Sequence, residues 1–256
     1  MVHTLFQTAL LIFGYVTLWF IVSLIKKRND VADIAWGLGF IVICLGLFAT
    51  QPLSPISTLV YVLVTLWGLR LAIHIGLRSK GKAEDFRYKK WREEWGKYFL
   101  IRSYLQVYIL QGFFMLIIAL PILIAGIAPP QYMSTFTVIG SVIWSIGFAY
   151  EAIGDYQLSV FIKNKQDKND IMQTGLWRYT RHPNYFGEVL LWWGIFIITL
   201  PLQNGFYGII SPLMITFLLL YVSGIPMLEA KYKGNAAFEA YKRRTSAFFP
   251  MPPKME

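Results

Sequence analysis

The polar residues best suited to bind a ligand lie in one short run, Thr174-Gly-Leu-Trp-Arg-Tyr-Thr-Arg-His-Pro-Asn-Tyr-Phe-Gly-Glu188. Gly175 permits a turn, and Pro183 favours the first turn of a helix. The free amides of that turn and the helix dipole attract an anion, and Arg178 and Arg181 flank the same point. The run therefore predicts a phosphate site at the start of a helix.

Asn184 and Glu188 follow with a spacing of four, which places them on one face of that helix. A neutral amide beside a carboxylate suits a carboxamide, an amine or a ribose better than a second phosphate. Aromatic side chains that could stack on a base lie close in sequence: Trp177, Tyr179 and Tyr185. The pattern favours a nucleotide-like ligand. The alternative is a basic helix start at the membrane interface that binds lipid phosphates.

Other ionisable residues lie at or inside apolar stretches, where charge is costly and usually faces a bundle interior or a cavity. They are Asp33, Arg70, His74, Glu151, Asp155 and Glu229. Each also has a purely structural interpretation. Asp33 could cap the second span, Arg70 could reach the lipid headgroups, and His74 could be a hydrogen-bonded interior histidine. Glu151 and Asp155 could pair with Lys163 or Lys165 to fix a loop.

The rest of the chain must hold these residues in a membrane. Its 256 residues are 56% hydrophobic and 17% aromatic, with a mean hydropathy of +0.49, which excludes an ordinary soluble domain. Since a span needs about 20 apolar residues, we expect an all-α integral membrane protein, a bundle of seven transmembrane helices forming a single membrane domain, 1–256. The predicted spans are 4–25, 34–50, 56–77, 104–127, 134–152, 185–201 and 207–225.

The charge pattern predicts the topology. The connectors 51–55, 128–133 and 202–206 carry no Lys or Arg, whereas the other connectors hold every basic residue except Arg70. The positive-inside rule then places the N-terminus outside and the C-terminus in the cytoplasm. The first span lacks the pattern of a cleaved signal peptide, so we expect a retained helix. From Pro226 we expect one cytoplasmic helix ending at 248–250.

The same pattern limits where a site can form. Because the outer connectors are short, we expect the active site on the cytoplasmic side. A bacterial inner membrane fits the helical spans. The single cysteine, Cys44, excludes disulfide scaffolds, iron–sulfur clusters and cysteine zinc sites, and no metal is expected. Partners should be membrane lipids and a lipophilic substrate, not nucleic acid; the sequence leaves the oligomeric state open.

At the run from Gly175 to Glu188 the sequence resembles the steroid 5-alpha-reductase family, in its bacterial, largely uncharacterised branch of membrane reductases. Further matching segments extend from the second span to the C-terminus: Ala32-Asp-Ile-Ala-Trp-Gly37, Trp67-Gly-Leu-Arg70, Glu84-Asp-Phe-Arg-Tyr88, Gly154-Asp-Tyr-Gln157, Ser223-Gly-Ile-Pro-Met-Leu-Glu229 and Tyr241-Lys-Arg-Arg-Thr-Ser-Ala-Phe-Phe-Pro250. The resemblance therefore covers most of the chain.

This resemblance implies a seven-helix fold whose C-terminal half, 104–256, holds NADPH from the cytoplasmic side. Asn184 and Glu188 match the family's Asn-x-x-Gly-Glu motif at the nicotinamide-ribose end, and Asp155 matches its Asp-Tyr position. Lys163 is offset by one from a basic residue of the reductases. The remaining cofactor residues that the resemblance suggests are Arg87, Arg178, Arg181, His182, Tyr185, Glu229 and Tyr241; at Glu229 the reductases have a His.

The substrate half, 1–103, departs from the family. Steroid reductases use a Glu in the second span and a Tyr in the third to hold the conjugated ketone, and this second span has no Glu. Tyr88, His74 and Asp33 are the candidate catalytic donors, Asp33 only if burial keeps it protonated; Tyr61 is a further possible donor. The expected activity is NADPH-dependent reduction of an activated C=C bond, acting on CH–CH groups like a 3-oxo-5-alpha-steroid 4-dehydrogenase, in a steroid- or isoprenoid-like substrate that enters from the bilayer.

Two alternatives remain. The run Arg181 to Gly187 is also similar to isoprenylcysteine carboxyl methyltransferases and phospholipid methyltransferases, which bind S-adenosylmethionine. Asn184, Glu188 and the Gly-Asp-Tyr segment favour the reductase, and Glu229 lacks the adjacent glutamate common in the methyltransferases. The other alternative is a lipid-binding or assembly factor without catalysis.

Overall fold

The structure, a computed structural model, describes residues 1–167 and 170–254. These residues form α-helices, short 3₁₀ and π-helical stretches and loops, and their one β pairing is a lone parallel bridge between Thr180 and Ser246. The prediction of an all-helical chain is confirmed. In chain order the α-helices are α1 (Val2–Lys26), α2 (Val31–Thr50), α3 (Pro55–Ser79), α4 (Phe86–Trp95), α5 (Phe99–Arg102), α6 (Leu110–Ile118), α7 (Leu120–Ile127), α8 (Thr135–Asn164), α9 (Pro183–Thr199), α10 (Ile210–Phe217), α11 (Ile225–Ala230) and α12 (Ala236–Arg244).

Six helical segments among the described residues are long and apolar enough to cross a membrane, which supports an integral membrane protein. They are α1, α2, α3, Phe86–Ile118, α8 and Gly205–Ala230. The predicted span that is not among these six, 185–201, corresponds to α9, which has 17 residues. At 1.5 Å per residue α9 is about 26 Å long, somewhat less than a hydrocarbon layer of about 30 Å. The count of seven and the orientation stay predictions.

The chain divides into two compact units. The first comprises 1–134 and 199–211, and the second comprises 135–198 and 212–256. This division places the predicted span 104–127 in the first unit, whereas the expected functional halves divide at residue 103. The substrate and cofactor roles of those halves stay predictions.

In the first unit, α2 and α3 approach closely where neither has a side chain. A Cβ atom on Gly37 would lie 2.6 Å from the carbonyl oxygen of Gly68, so only hydrogen fits there. Phe40 and the fully buried Trp67 pack edge to face beside this contact. Small residues at such crossings are typical of helix pairs in membranes.

In the second unit, α8 and α9 also pack closely through glycines along their length. A Cβ atom on Gly140 would lie 2.6 Å from the Gly194 carbonyl oxygen, and one on Gly194 would lie 2.6 Å from the Gly140 carbonyl oxygen. Closer to the start of α9, a Cβ atom on Gly154 would lie 3.2 Å from the backbone nitrogen of Asn184. The two backbones therefore run in contact, which brings polar residues of α8 next to those of α9.

The C-terminal segment differs from the single helix expected from Pro226 to residues 248–250. The chain turns between α11 and α12, where Gly234 has a φ of +85° that favours glycine. Asn235 then caps α12, its side chain accepting a hydrogen bond from the backbone N–H of Phe238. After Arg244 the described chain is no longer helical, so the prediction of one continuous helix is wrong.

Candidate functional site

Three polar residues of the second unit meet where α8 packs against the start of α9. Asp155 and Glu188 are buried, at 6% and 7% exposure. The side-chain amide of Asn184 donates from Nδ2 to Asp155 Oδ1 at 3.1 Å. The structure thus brings Asn184 and Asp155 together, and Glu188 lies buried one turn further along α9.

Asn184 Oδ1 is the feature of this cluster that points to a ligand. The atom is buried, and no described residue donates a hydrogen bond to it. A buried acceptor without a donor costs about 1–3 kcal/mol, so such atoms usually have an explanation, such as a bound water or ligand. Since Asp155 holds the Nδ2 end, the amide presents its acceptor end for an N–H or O–H donor.

The turn before α9 has the features expected from the sequence. Gly175 has a φ of +62°, and α9 begins at Pro183. The carbonyl Oε1 of Gln157 on α8 accepts a hydrogen bond of 3.0 Å from the backbone N–H of Leu176. This hydrogen bond fixes the turn against α8. The approach is so close that a side chain at Gly175 would collide with Gln157.

Arg181 is used inside the protein instead of flanking an open phosphate site. It is 7% exposed, and its Nε atom lies 2.9 Å from Glu229 Oε1. Its Nη1 donates to the carbonyl oxygens of Thr245, at 2.5 Å, and Lys242, at 3.3 Å. The guanidinium therefore fastens α11 and the end of α12 to the run before α9. Arg178, its predicted companion, is exposed.

His182 shares the carboxylate of Glu229, with its Nε2 atom 3.1 Å from Oε1. Burial lowers the pKa of His182 below its ordinary value of 6.5, although the hydrogen bond and charge of Glu229 partly oppose this shift. The ring also stacks on Tyr185, with centroids 5.5 Å apart and planes at 10°. His182 is thus held neutral and oriented near neutral pH.

The remaining predicted cofactor residues of this unit have separate places. Tyr241 is buried and donates a short hydrogen bond to the carbonyl oxygen of Trp177. Lys163 is exposed near the end of α8. A groove of about 490 Å³ is lined among others by Tyr156, Phe161 and Gly175, but not by Lys163. Neither Asn184 nor Glu188 lines this groove.

The candidate donors Asp33 and Tyr88 meet in the first unit. The Tyr88 hydroxyl donates to Asp33 Oδ1 at 2.7 Å, and Arg87 Nη2 lies 2.6 Å from Asp33 Oδ2. Asp33 is in the first turn of α2 and does not cap it, since the helix already begins at Val31. Its pairing with a guanidinium fits a carboxylate and disfavours the expected role of a protonated acid.

Arg87, the predicted contact of the adenosine phosphates, is engaged in the same cluster. Besides Asp33 it binds Asp85 through Nε at 2.9 Å. Burial works to raise the pKa of Asp85, but the hydrogen bonds and charge of Arg87 outweigh it and lower the pKa. Both carboxylates thus hold Arg87 in the first unit.

The other two candidate donors lie on α3. His74 is half-buried one turn after Arg70. Tyr61 is buried near the opposite end of α3, and no described residue forms a hydrogen bond with its hydroxyl. Tyr61 therefore forms no hydrogen bond within the Asp33 and Tyr88 cluster.

A family profile described as a protein of unknown function (DUF1295) matches residues 19–245. The chain belongs to this family. No curated protein matches it. The matched range includes most of both units of this DUF1295 protein.

The sequence analysis missed the polar residues that surround the Asp33 cluster of this DUF1295 protein. Asp30 pairs with Arg28 at 2.6 Å and accepts a hydrogen bond of 3.0 Å from the backbone N–H of Asp85. The backbone N–H of Asn29 donates to Glu84 Oε1 at 2.6 Å. Two short polar segments were the signal in the sequence. Arg28, Asn29 and Asp30 stand directly before α2, and the acidic residues Glu84 and Asp85 stand directly before α4.

Proposed function

We propose that this DUF1295 protein is a membrane-bound reductase that uses NADPH to reduce an activated C=C bond in a lipophilic substrate. The observation that carries the proposal is the buried, unpartnered acceptor of Asn184 next to two buried carboxylates. A carboxamide NH₂ and ribose hydroxyls supply the donors that such a cluster requires. The resemblance to steroid 5-alpha-reductases supports the same ligand.

Asn184, Asp155 and Glu188 are the residues that would hold the cofactor. Asp155 fixes the orientation of the Asn184 amide, and Glu188 adds a second acceptor one turn along α9. Bound NADPH would supply a hydride to the β-carbon of a conjugated alkene, while the α-carbon takes a proton. Neutral His182, stacked on Tyr185, gives the neighbouring wall a fixed shape.

In the first unit, Tyr88 is the residue best suited to donate a hydrogen bond to a substrate carbonyl. Its side chain is 5% exposed, and its hydroxyl group donates a hydrogen bond to the Asp33 carboxylate. Its single proton lies on the hydrogen bond to Asp33, so a substrate carbonyl would have to replace Asp33 as acceptor. Arg87 stabilises the Asp33 carboxylate that is then released.

The topology is part of the proposal. We propose that α9 also crosses the membrane, which brings the number of spans to seven. The N-terminus would lie outside and the C-terminus in the cytoplasm of a bacterial cell, with the protein in the inner membrane. The distribution of Lys and Arg among the connectors supports this orientation.

The decisive experiment measures thermal unfolding of the purified protein in detergent with NADPH or S-adenosylmethionine. A ligand at 100 times its Kd adds about 2.7 kcal/mol to the stability. We expect NADPH to stabilise the protein, and Asn184→Ala and Glu188→Gln each to weaken its binding about tenfold, since a buried donor left without its partner costs about 1–3 kcal/mol. The matched control is Glu239→Gln, at an exposed Glu of α12.

Three other results of this experiment would change the proposal. Stabilisation by S-adenosylmethionine alone would replace the reductase with the methyltransferase. Stabilisation by neither ligand would favour a protein without catalysis. NADPH binding that is unchanged in both variants would remove Asn184 and Glu188 from the site.

The donor is tested separately by NADPH oxidation with lipophilic α,β-unsaturated ketones. Tyr88→Phe should keep NADPH affinity and lower turnover about 10²–10³-fold, the usual effect of removing a donor to a developing oxyanion. Tyr98→Phe makes the same chemical change at an exposed tyrosine and should leave turnover unchanged. Full turnover in Tyr88→Phe would exclude this tyrosine as the donor.

A further inference from the structure

A second cleft of the second unit, here called the basic cleft, has a volume of about 250 Å³ and lies where the chain leaves α12. Five of its ten lining residues are basic and none is acidic; the basic ones are Arg181, Lys242, Arg243, Arg244 and Lys254. Basic residues near a helix C-terminus often serve only to offset the helix dipole. The contacts of this cleft distinguish that role from ligand binding.

The carbonyl groups at the end of α12 already have donors from within the protein. Arg181 Nη1 donates to the carbonyl oxygens of Lys242 and Thr245. The backbone N–H of Lys254 donates to the carbonyl oxygen of Arg244 at 2.9 Å. The side chains of Lys242 and Lys254 are therefore not needed as caps of this helix.

The charge of the basic cleft is only partly balanced. Glu229 neutralises Arg181. No carboxylate among the described residues pairs with Lys242, Arg243 or Lys254, and all three are exposed. Like charges held together destabilise a fold unless an anion joins them.

The walls of the cleft are fixed by backbone hydrogen bonds. The backbone N–H of Arg181 donates to the Ser246 carbonyl oxygen at 2.9 Å, and that of Met251 donates to the Tyr179 carbonyl oxygen at 2.9 Å. These two hydrogen bonds hold the segment after α12 against the run before α9. A rigid, concave and cationic surface binds an anion at a lower entropic cost than a mobile tail.

We propose that the basic cleft is a binding site for a phosphate group. Its volume is below the roughly 300–1,000 Å³ of sites that enclose a drug-sized ligand, so it suits a phosphate group better than a whole dinucleotide. Lys and Arg both bind phosphate, Arg as a planar fork and Lys as a point charge. The phosphate can belong to a lipid headgroup or to a soluble molecule, and the inference does not rest on the proposed reductase activity.

The test is a thermal-unfolding titration of the full chain in a neutral detergent. One arm adds inorganic phosphate at constant ionic strength, and the other adds phosphatidic acid, with phosphatidylcholine as its reference. The triple variant Lys242→Gln, Arg243→Gln, Lys254→Gln should weaken binding at least about tenfold. A control triple variant, Lys80→Gln, Lys82→Gln, Lys89→Gln, removes the same charge from exposed positions outside the cleft and should change binding less than about twofold.

The two arms of the titration distinguish a soluble phosphate group from a lipid headgroup. Stabilisation by inorganic phosphate supports a site that a soluble phosphate group can occupy, and stabilisation by phosphatidic acid alone supports a lipid headgroup site. A variant that exchanges Lys and Arg at positions 242, 243 and 254 keeps the charge and should retain binding, which guards against a folding defect. Equal losses in the two glutamine triple variants, or no stabilisation in either arm, would overturn the proposal.

Discussion

Replacing Gly147 by alanine tests whether the close contact of α8 and α9 builds the candidate site. A Cβ atom there would lie 2.5 Å from the backbone nitrogen of Leu191 and 2.7 Å from the carbonyl oxygen of Gly187. Ordinary contacts need about 3.5 Å, so the two helices would have to separate by roughly 1 Å. Overpacking of this kind costs about 1–3 kcal/mol, whereas alanine gains about 1 kcal/mol in helix propensity.

Gly14→Ala is the matched control because it makes the same change inside α1, where nothing lies within 4 Å of the added atom. The propensity gain is common to both variants, so their difference isolates the clash, about 1–3 kcal/mol. For a protein of this size that corresponds to roughly 2–12 °C in Tm, measured by thermal unfolding in detergent. Equal Tm values, or a higher Tm for Gly147→Ala, would refute the close packing of α8 and α9.

Two further predictions concern the Glu229 carboxylate and its partners. Glu229→Gln should lower the free energy of unfolding by about 1.5–3 kcal/mol, because Arg181 stays buried without its counter-charge; Glu239→Gln, on the surface, should change it by less than about 0.5 kcal/mol. Lowering the pH below about 6.5 should destabilise the native protein, because His182 has a lowered pKa in the fold and takes up its proton more readily when unfolded. The measurement is Tm against pH, and His182→Gln should flatten the curve. A wild-type slope that persists in His182→Gln would assign the titration to another group, and an unchanged Glu229→Gln would show that the ion pair contributes no stability.

Local signals predicted much of the candidate site. Gly175 adopts the left-handed backbone that its turn requires, and Pro183 begins α9. The spacing of Asn184 and Glu188 put them on one face, and Asp155 of α8, which the resemblance suggested, contacts Asn184. These predictions succeeded because each depends on a few neighbouring residues.

Long-range pairing could not be read from the sequence. Arg181 was expected to bind a phosphate, but its partners are Glu229, 48 residues away, and the carbonyl oxygen of Thr245. Asp33 was considered as an acid, yet Arg87, 54 residues away, pairs with it. A charged residue's role depends on which opposite charge the fold brings to it, and composition alone does not determine that choice.

The segment after α12 also guides how the protein is handled in the laboratory. The amide of Lys254 is bonded to the last carbonyl of α12, and Met251 is bonded to Tyr179. An affinity tag fused shortly after residue 254 would emerge next to those bonds and next to the lysine and arginine side chains of the basic cleft. Binding studies of the basic cleft therefore call for a protein from which such a tag has been removed.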